Sequence, residues 1–286
     1  MSPTILLPID IEGGSERVIT HCFDLADHLG ATVHVLSVIE EAPEVADLDA
    51  EHRSDITASL TRHAQTTTEQ VAEQASERGL ETVVSVHEGV ANQQIVQYAE
   101  EYEPEFIVIG TRVHSYPPGI GSTTERVILN SPTPVVSIPL GDDEPKVTGF
   151  DQIIIATDGS ESAERAAERG FDIAEQFGAT VSIVYVVDQS TYELADAPRS
   201  ILGLLKEGGR QAVDDLAAAA RDRGINVTTT VRRGTPEQEL LEYMTDREGD
   251  LVVMGVSGRG GVGNRFLGST TARVLRGSTR PVLTTR

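Results

Sequence analysis

The chain repeats itself, and this internal repeat constrains the fold more than any other feature of the sequence. The segment "ILLPIDIEGGSERV" at 5–18 resembles "IIIATDGSESAERA" at 153–166, and "FDLADHLGATVHVLSVIE" at 23–40 resembles "FDIAEQFGATVSIVYVVD" at 171–188. Two later pairs, "ERGLETVVSVHEG" with "DRGINVTTTVRRG" and "ILNSPTPVVSIP" with "VLRGSTRPVLTT", extend the match to the end of each half. A repeat of this length indicates tandem duplication of one domain rather than a solenoid of short repeats.

A short polar segment, "GDDEPKVTG", separates the two copies and has the glycine and proline content of a linker. We therefore predict one domain at 1–140, a linker at 141–149 and a second domain at 150–286. The 286 residues are enough for two domains that each bury a core of their own.

Within each copy, strand patterns alternate with helix patterns. In the second copy the strand patterns are the short runs "QIIIAT", "TVSIVYVV", "NVTTTVRR", "DLVVMG" and "PVLTT". Helix patterns separate them at 160–178, 199–223, 235–249 and 269–278. We expect Gly178 to close the first helix, and Thr235 to open the third as an N-cap with Pro236 next. Alternating strands and helices form a parallel sheet with helices on both faces, so we predict two doubly wound, five-stranded α/β domains.

Charge and composition exclude several classes of partner. The formal net charge of −22 disfavours nucleic acid and anionic membranes, which need a basic surface. The sequence has no apolar run long enough for a membrane helix, and "MSPTILLPID" lacks the pattern of a secretory signal, so we expect a cytoplasmic protein.

The single cysteine, Cys22, excludes an internal disulfide framework and is predicted to be a small buried hydrophobe. The seven histidines all lie in the first copy and form no metal-binding or catalytic pattern.

The charge also indicates an environment. Arginine carries almost all of the positive charge, because Lys146 and Lys206 are the only lysines. An acidic, lysine-poor chain is typical of salt-loving microbes, where high salt screens the self-repulsion of the surface. We expect a halophilic archaeon as the source; the alternative is an ordinary acidic protein.

The glycine-rich stretch "VVMGVSGRGGVGNRFLGSTTARVL" at 252–275 carries the most specific chemistry. It is neither a Walker A loop nor a dinucleotide-binding fingerprint, because it lacks the G-K-[ST] ending and follows the fourth strand rather than the first. Its candidate ligand-binding residues are Gly255, Gly258, Gly268, Ser269, Thr270 and Thr271.

This stretch is predicted to bind an anion at the carboxyl edge of the sheet. Ligands of doubly wound domains bind beyond the carboxyl ends of the strands. The N–H groups of the first helical turn lack helical acceptors and lie at the positive end of the helix dipole, which favours a phosphate. The hydroxyls at 269–271 and the charges of Arg259 and Arg265 would add to that attraction. The alternative is a structural loop whose glycines only ease the turn, with Ser269 as an N-cap.

Two further candidates follow earlier strands of the second copy. Asp158 comes directly after the first strand, where its carboxylate would accept a hydrogen bond from a ribose hydroxyl or an adenine amine; its alternative role is to cap the next helix. Val186, near the end of the second strand, would meet a base edge with its backbone and the ring with its side chain. Met254, which precedes Gly255, is also predicted to contact the nucleotide.

The spacing G-x2-G-x9-G-[ST], read at Gly255, Gly258, Gly268 and Ser269, resembles the ATP-binding signature of the universal stress protein family. The segments "ATDGS", "VYVVD" and "STRPVL" are similar to the same family. The resemblance covers both copies, which is nearly the whole chain. It implies a tandem two-domain member with a Rossmann-like fold similar to that of the adenine nucleotide alpha hydrolases.

The resemblance also implies a ligand and a role. ATP would lie with its adenine near Asp158 and Val186 and its phosphates on the amides of Gly258 and 268–271, with Mg or Mn bridging the phosphates. The last strand would support pairing of the two domains inside one chain, and further association into a homodimer stays open. Such a protein would act as a nucleotide-responsive stress or signalling module without an efficient catalytic cycle.

The first copy departs from the signature. Asp10 and Val38 align with the nucleoside candidates, and the segment 121–124 matches the helix start. However, Val113 replaces the second glycine, and ten residues separate Gly110 from Gly121 against twelve in the second copy. Tyr116, Pro117 and Pro118 stiffen what remains of this loop. We therefore expect a mainly structural role or an altered ligand for the first copy.

Two other functions remain open at this point. One is a slow ATPase or a nucleotidyl or phosphoryl transferase, which would depend on Mg or Mn and on Ser269 or Thr271. No residue of the second copy is recognisable as a general base for that chemistry. The other is an interaction module that binds no nucleotide, in which both glycine loops are structural.

Overall fold

The computed structural model describes residues 2–40, 49–111, 119–140, 149–189, 199–258 and 266–286. By its internal contacts the chain divides into two compact units. The first is formed by Met1–Gly110 with Gly121–Leu140, and the second contains Gly141–Arg286.

Each unit alternates strands and helices. The first consists of β1 (Thr4–Ile9), α1 (Glu16–Leu29), β2 (Thr32–Ile39), α2 (Ala50–Glu77), β3 (Thr82–Glu88), α3 (Ala91–Tyr102), β4 (Phe106–Thr111), α4 (Ser122–Asn130) and β5 (Val135–Pro139). The second consists of β6 (Gln152–Thr157), α5 (Glu161–Phe177), β7 (Thr180–Asp188), α6 (Arg199–Asp222), β8 (Val227–Gly234), α7 (Pro236–Asp246), β9 (Leu251–Gly255), α8 (Ser269–Gly277) and β10 (Val282–Thr285). The predicted alternation and the predicted number of strands per copy are confirmed.

The strand order of each unit is that of a doubly wound sheet. The first unit runs β3-β2-β1-β4-β5, and the second runs β8-β7-β6-β9-β10. Because the order moves outward from the first strand and then returns to its other side, right-handed crossovers place the first two helices on one face and the last two on the other. The reversal lies between β6 and β9 in the second unit, which makes the carboxyl ends of these strands the expected ligand edge.

The two units also share their strand register. Ile5 pairs with Val33 and with Phe106 in the first unit, and Ile153 pairs with Val181 and with Leu251 in the second. These pairs are parallel, and each residue of the second set is the repeat-equivalent of one in the first. The duplication seen in the sequence is therefore a duplication of backbone pairing as well.

Apolar strands build the core of each unit. All five residues of β9 and the last five of β6 are buried, because strands covered by helices on both faces have no solvent side. Cys22 in α1 is fully buried, as predicted, and burial raises the pKa of its thiol. No helix within the described ranges is long and apolar enough to cross a bilayer.

The helix ends of the second unit follow their sequence signals, with two corrections. Gly178 closes α5 in the left-handed region with φ 66°, which suits a residue without Cβ. Thr235 is the N-cap of α7 and Pro236 its first residue, as predicted, but the Thr235 side chain makes no capping hydrogen bond. The N-cap of α8 is Gly268, and Ser269 is the first helical residue, so Ser269 does not have the capping role that the structural alternative gave it.

Candidate functional site

The second unit brings its candidate residues to one edge of the sheet. Asp158 directly follows β6, and Gly255 is the last residue of β9, which lies beside β6. Thr157 pairs with Tyr185 on the other side, so Asp158 and Val186 are the next residues along these two neighbouring strands. The predicted strand-end arrangement is therefore present in the backbone.

The glycine loop is held closed at its base. The amide of Gly268 donates a 2.8 Å hydrogen bond to the carbonyl of Val256, and the amide of Val256 donates to Thr285 at 3.0 Å. The loop therefore leaves and rejoins the sheet at one point, and α8 begins directly beyond that point. Arg259 and Arg265, the predicted sources of positive charge, lie outside the described residues.

The start of α8 presents backbone donors at this edge. Its first three residues are Ser269, Thr270 and Thr271, and the amide of Ala272 makes the first helical bond, to Gly268 at 2.8 Å. Amides at these first three positions have no helical acceptor in an α-helix. Ser269 is exposed and Thr270 is half-buried.

Thr271 has a different role from the one predicted for its hydroxyl. Its Oγ1 donates a 2.9 Å hydrogen bond to the carbonyl of Gly255, and the residue is buried. The hydroxyl proton is therefore committed to the end of β9, and the bond ties the first turn of α8 to the strand. Thr124 in the first unit makes the same bond to Gly110 at 3.1 Å.

The first signature glycine is required by packing inside the unit. A Cβ at Gly255 would overlap the Ser162 hydroxyl and lie 2.9 Å from the carbonyl carbon and oxygen of that residue. Real Cβ atoms do not approach backbone so closely, so the absence of a side chain lets β9 pack against the first turn of α5. Within the described part of the chain the buried Ser162 hydroxyl has no hydrogen-bond partner.

A side chain at the second signature glycine, Gly258, would meet a carboxylate, whereas one at the third, Gly268, would meet none of the described residues closely. A Cβ at Gly258 would lie 2.5 Å from Oδ2 of Asp158, which shows that the start of the glycine loop meets the turn after β6. A Cβ at Gly268 would make only ordinary contacts, the nearest 3.4 Å from the Val256 carbonyl, and its φ of −56° suits any residue. None of the described residues of the unit requires glycine at position 268.

Asp158 is also engaged with its own turn. Its Oδ1 accepts a 3.0 Å hydrogen bond from the amide of Ser160, and Ser160 caps α5 by accepting from the amide of Ala163 at 3.3 Å. The predicted alternative, that Asp158 caps the next helix, is therefore wrong: Ser160 is the N-cap of α5, and Oδ1 of Asp158 holds the turn before it. Its Oδ2 lies on the side of Gly258.

Val186 and Met254 differ in what they offer a ligand. Val186 is half-buried near the end of β7, where it pairs with Arg232 of β8 and lies one residue beyond the last residue paired with β6. Met254 is 5% exposed, so its side chain belongs to the core. Of Met254, only the backbone at the strand end remains a candidate contact.

The corresponding edge of the first unit differs in detail. Oδ1 of Asp10 accepts hydrogen bonds from two amides of its own loop, Glu12 at 3.1 Å and Gly14 at 3.0 Å. α4 begins after Gly121, whose φ of 96° lies in the region that favours glycine. Val113 and 116–118, on which the predicted obstruction rests, lie outside the described residues.

A neighbouring cleft of the second unit does not suit a polyphosphate. It encloses about 440 Å³ between α5 and α6 beside Thr157 and Gly159. Its charged lining consists of Glu161, Glu164, Arg165, Glu168 and Asp215. This excess of carboxylates would repel phosphates. Among the residues that the structure describes, no three His, Cys, Asp or Glu side chains form a metal-ion cluster.

Sequence reasoning missed three contacts of this site. They are the packing of Gly255 on Ser162, the approach of Gly258 to Asp158 and the bond from Thr271 to Gly255. One signal for the third was present, since both copies place threonine three residues after the glycine that precedes the helix. The first two join residues that lie about 93 and 100 positions apart in the sequence, and no local pattern reports such contacts.

Comparison with known proteins agrees with the duplication. The sequence profile of the Universal stress protein family matches residues 1–139 and again 149–286. A universal stress protein of Methanocaldococcus jannaschii is 36% identical over 137 residues, covering 47% of this chain and 81% of that protein. The Bacillus subtilis protein YxiE, also a universal stress protein, is 26% identical over 147 residues, covering 48% of this chain and 99% of its own.

One solved structure matches both halves together. The crystal structure of a universal stress protein from Archaeoglobus fulgidus covers 100% of this chain with 97% of its own, at a TM-score of 0.72 and 24% identity. At that identity the likeness shows the fold. The fold and the strand-edge site define a tandem α/β protein of two Rossmann-like domains. The two matches of the family profile, which cover almost all of the sequence, show that the chain belongs to the universal stress protein family.

Proposed function

We propose that this universal stress protein binds ATP in its second domain and acts as a nucleotide-responsive stress or signalling module. The observation that carries the proposal is the meeting of three elements at one edge. Asp158 lies against Gly258, and the loop that Gly258 begins returns, through the bond between Gly268 and Val256, to the first turn of α8. A carboxylate for the nucleoside and backbone donors for phosphates are thus parts of one site.

Divalent metal would reach this site with the nucleotide. Mg and Mn prefer oxygen ligands, and the hydroxyls of exposed Ser269 and half-buried Thr270 would be oxygen ligands next to the proposed phosphate position. The metal supplies charge neutralisation of the phosphates, while the chain holds and orients them. Pairing of the two domains inside the chain, and further pairing of chains, stay predictions.

Nucleotide content is the first measurement. The purified full-length protein is denatured, the supernatant is analysed for nucleotide, and ATP is then titrated into nucleotide-free protein. We expect one ATP per chain, bound by the second domain. Complete absence of ATP binding to the wild type would favour the nucleotide-independent interaction module instead. Loss of bound ATP during long incubation with Mg or Mn would favour the slow ATPase.

The duplication supplies a matched pair of variants for the phosphate donors. Ser269→Pro removes one first-turn amide donor at the helix position that proline tolerates best. The preceding Gly268 has ψ 140°, the extended conformation that a following proline requires. Ser122→Pro makes the same change in the first unit, after Gly121 with ψ 133°.

We expect Ser269→Pro to weaken ATP binding about tenfold or more, the effect of one lost hydrogen bond to a charged group. Ser269→Ala separates the hydroxyl from the amide and should cost less. Ser122→Pro should leave the affinity for ATP unchanged. Equal affinities in Ser269→Pro and the wild type, or a loss in Ser122→Pro alone, would contradict the assignment to the second domain.

A further inference from the structure

The second glycine of the signature stands against a carboxylate that belongs to a different loop. A Cβ built on Gly258 would lie 2.5 Å from Oδ2 and 3.5 Å from Cγ of Asp158. The first distance is well inside ordinary van der Waals contact, which begins at about 3.5 Å between heavy atoms. Gly258 is exposed, and its φ lies outside the left-handed region, so its backbone does not require glycine. Among the described residues, Asp158 is the one that a side chain at position 258 would displace.

The Asp158 carboxylate is held in its turn by hydrogen bonding, so moving it away from Gly258 would disturb that turn. Its Oδ1 accepts from the amide of Ser160 at 3.0 Å, and the Thr157 hydroxyl accepts from the amide of Gly159 at 3.0 Å. These two bonds fix the turn between β6 and α5, with Oδ2 directed at Gly258. A side chain at 258 would therefore displace the carboxylate from its bond to Ser160 or lift the loop away from the turn.

Gly268 provides a contrast within the same signature. Among the described residues, the atoms nearest to its Cβ position are the Val256 carbonyl oxygen at 3.4 Å, and Ser257 Cα and Thr271 Oγ1 at 3.5 Å, all ordinary contacts. The absence of a side chain there leaves open the space in front of the first turn of α8. In that space the oxygens of a phosphate would accept hydrogen bonds from the first amides of α8.

We propose that Gly258 is a specificity-determining position that serves the nucleoside end of the ligand through Asp158, whereas Gly268 serves the phosphate end. This inference rests on the proposed ATP site. It concerns the space that each glycine leaves, not its backbone amide, which the family resemblance places at the phosphates for both residues and which an alanine variant keeps. It also gives the first copy a specific defect, because Val113 stands at the equivalent of Gly258 while Asp10 bonds to its own loop.

The test uses the full-length protein and three probes: ATP, adenosine and inorganic tripolyphosphate. Affinities for the latter two are measured by displacement of a fluorescent ATP analogue. We expect Gly258→Ala to weaken ATP and adenosine by a similar factor, about tenfold, and to leave tripolyphosphate unchanged. Gly268→Ala should show the reverse pattern, with ATP and tripolyphosphate weakened and adenosine unchanged. Thermal unfolding midpoints equal to the wild type would confirm that both variants are folded.

A double-mutant cycle in ATP binding alone tests the route through Asp158. If Gly258 acts through that carboxylate, Gly258→Ala should have no effect in an Asp158→Ala background. Equal losses in both backgrounds, or loss of tripolyphosphate binding in Gly258→Ala with adenosine unchanged, would overturn the inference. Wild-type protein that binds no ATP would overturn the proposed function itself, which is a distinguishable result.

Discussion

At the scale of single residues, the three signature glycines have three different surroundings. Gly255 gives room to the backbone of α5 and Gly258 to the carboxylate of Asp158, whereas a side chain at Gly268 would make only ordinary contacts with the described residues. A signature written as a row of glycines therefore includes packing requirements of the fold itself. Gly268 is the one of the three for which the described residues give no such requirement, and the proposed phosphate position would account for it.

The bond from Thr271 to Gly255 leads to a prediction at this scale. Thr271→Val keeps the shape of the side chain but leaves the Gly255 carbonyl without its 2.9 Å donor. We expect the free energy of unfolding to fall by about 1 kcal/mol and ATP binding to weaken, since the first turn of α8 is no longer tied to β9. Urea unfolding and ATP titration measure the two effects.

Two further variants separate positioning from stability. Thr271→Ser keeps the hydroxyl and should restore ATP binding. Thr124→Val breaks the equivalent 3.1 Å bond in the first unit and should lower stability while leaving ATP binding intact. If Thr271→Val bound ATP as the wild type does, the bond would have no positioning role.

At the scale of elements, an equivalent tyrosine joins a helix to the sheet in both units, but its partners differ. In the first unit His34 on β2 meets Tyr98 on α3, with Nδ1 2.9 Å from the tyrosine oxygen, and Tyr102 packs edge-on against the same imidazole. In the second unit the equivalent tyrosine, Tyr243 on α7, lies beneath Arg232 and Arg247. The contact is therefore titratable in the first unit and permanently charged in the second.

Burial lowers the pKa of His34 from its ordinary value of 6.5. Above pH 6.5 the imidazole is neutral in both the folded and unfolded states and adds no pH dependence. Below that value the unfolded state takes up the proton first, so the stability of the first unit falls as pH falls. The neighbouring titratable groups are Tyr98, Tyr102 and His87, and the charge of Glu101 acts on Tyr98.

Replacing His34 by serine, the residue found at the equivalent Ser182, should remove this contribution. We expect the amides of α3 to lose protection from hydrogen exchange between pH 6.5 and 5 in the wild type, and to lose less in His34→Ser. His63→Ser, which removes an exposed histidine of α2, serves as the control. Identical pH profiles for the wild type and His34→Ser would contradict this role of His34.

A second contact, an ion pair between two helices, occurs in both units but involves more carboxylates in the second. Arg78, after α2, pairs with Asp24 of α1 at 2.7 Å. Its equivalent Arg223, after α6, contacts Glu168, Asp172 and Glu175 of α5. Hydrogen bonds to Glu175 and Asp172 raise the pKa of Arg223 further above its ordinary range. The same arginine joins the same two helices in both units, and the second unit surrounds it with more acid.

At the scale of the whole molecule, the net charge of −22 predicts a dependence on salt. Self-repulsion of an acidic surface destabilises the folded chain, and the screening length falls from about 10 Å at 0.1 M salt to about 3 Å at 1 M. We expect the thermal unfolding midpoint to rise between about 0.1 and 2 M KCl. Sucrose of equal osmotic strength is the control for solvent exclusion. A midpoint that is unchanged or lower at high salt would contradict the expected halophilic origin and support an ordinary acidic protein.

Local sequence patterns were enough to predict the architecture, because hydrophobic periodicity is local and both copies carry it. Strand and helix alternation, the five strands per domain and the helix start at Ser269 all follow from patterns a few residues long. The same patterns indicated which loop would carry an anion site, since a parallel sheet presents its strand ends at one edge.

The contacts between residues of that edge could be known only from the folded chain. The room that Gly255 leaves for Ser162, the apposition of Gly258 and Asp158, and the use of the Thr271 hydroxyl within the fold all join segments far apart in the chain. Such contacts depend on how strands and helices pack in three dimensions, and neither propensity nor periodicity encodes them. For this reason the sequence identified the glycines, and the packing showed the different reason for each.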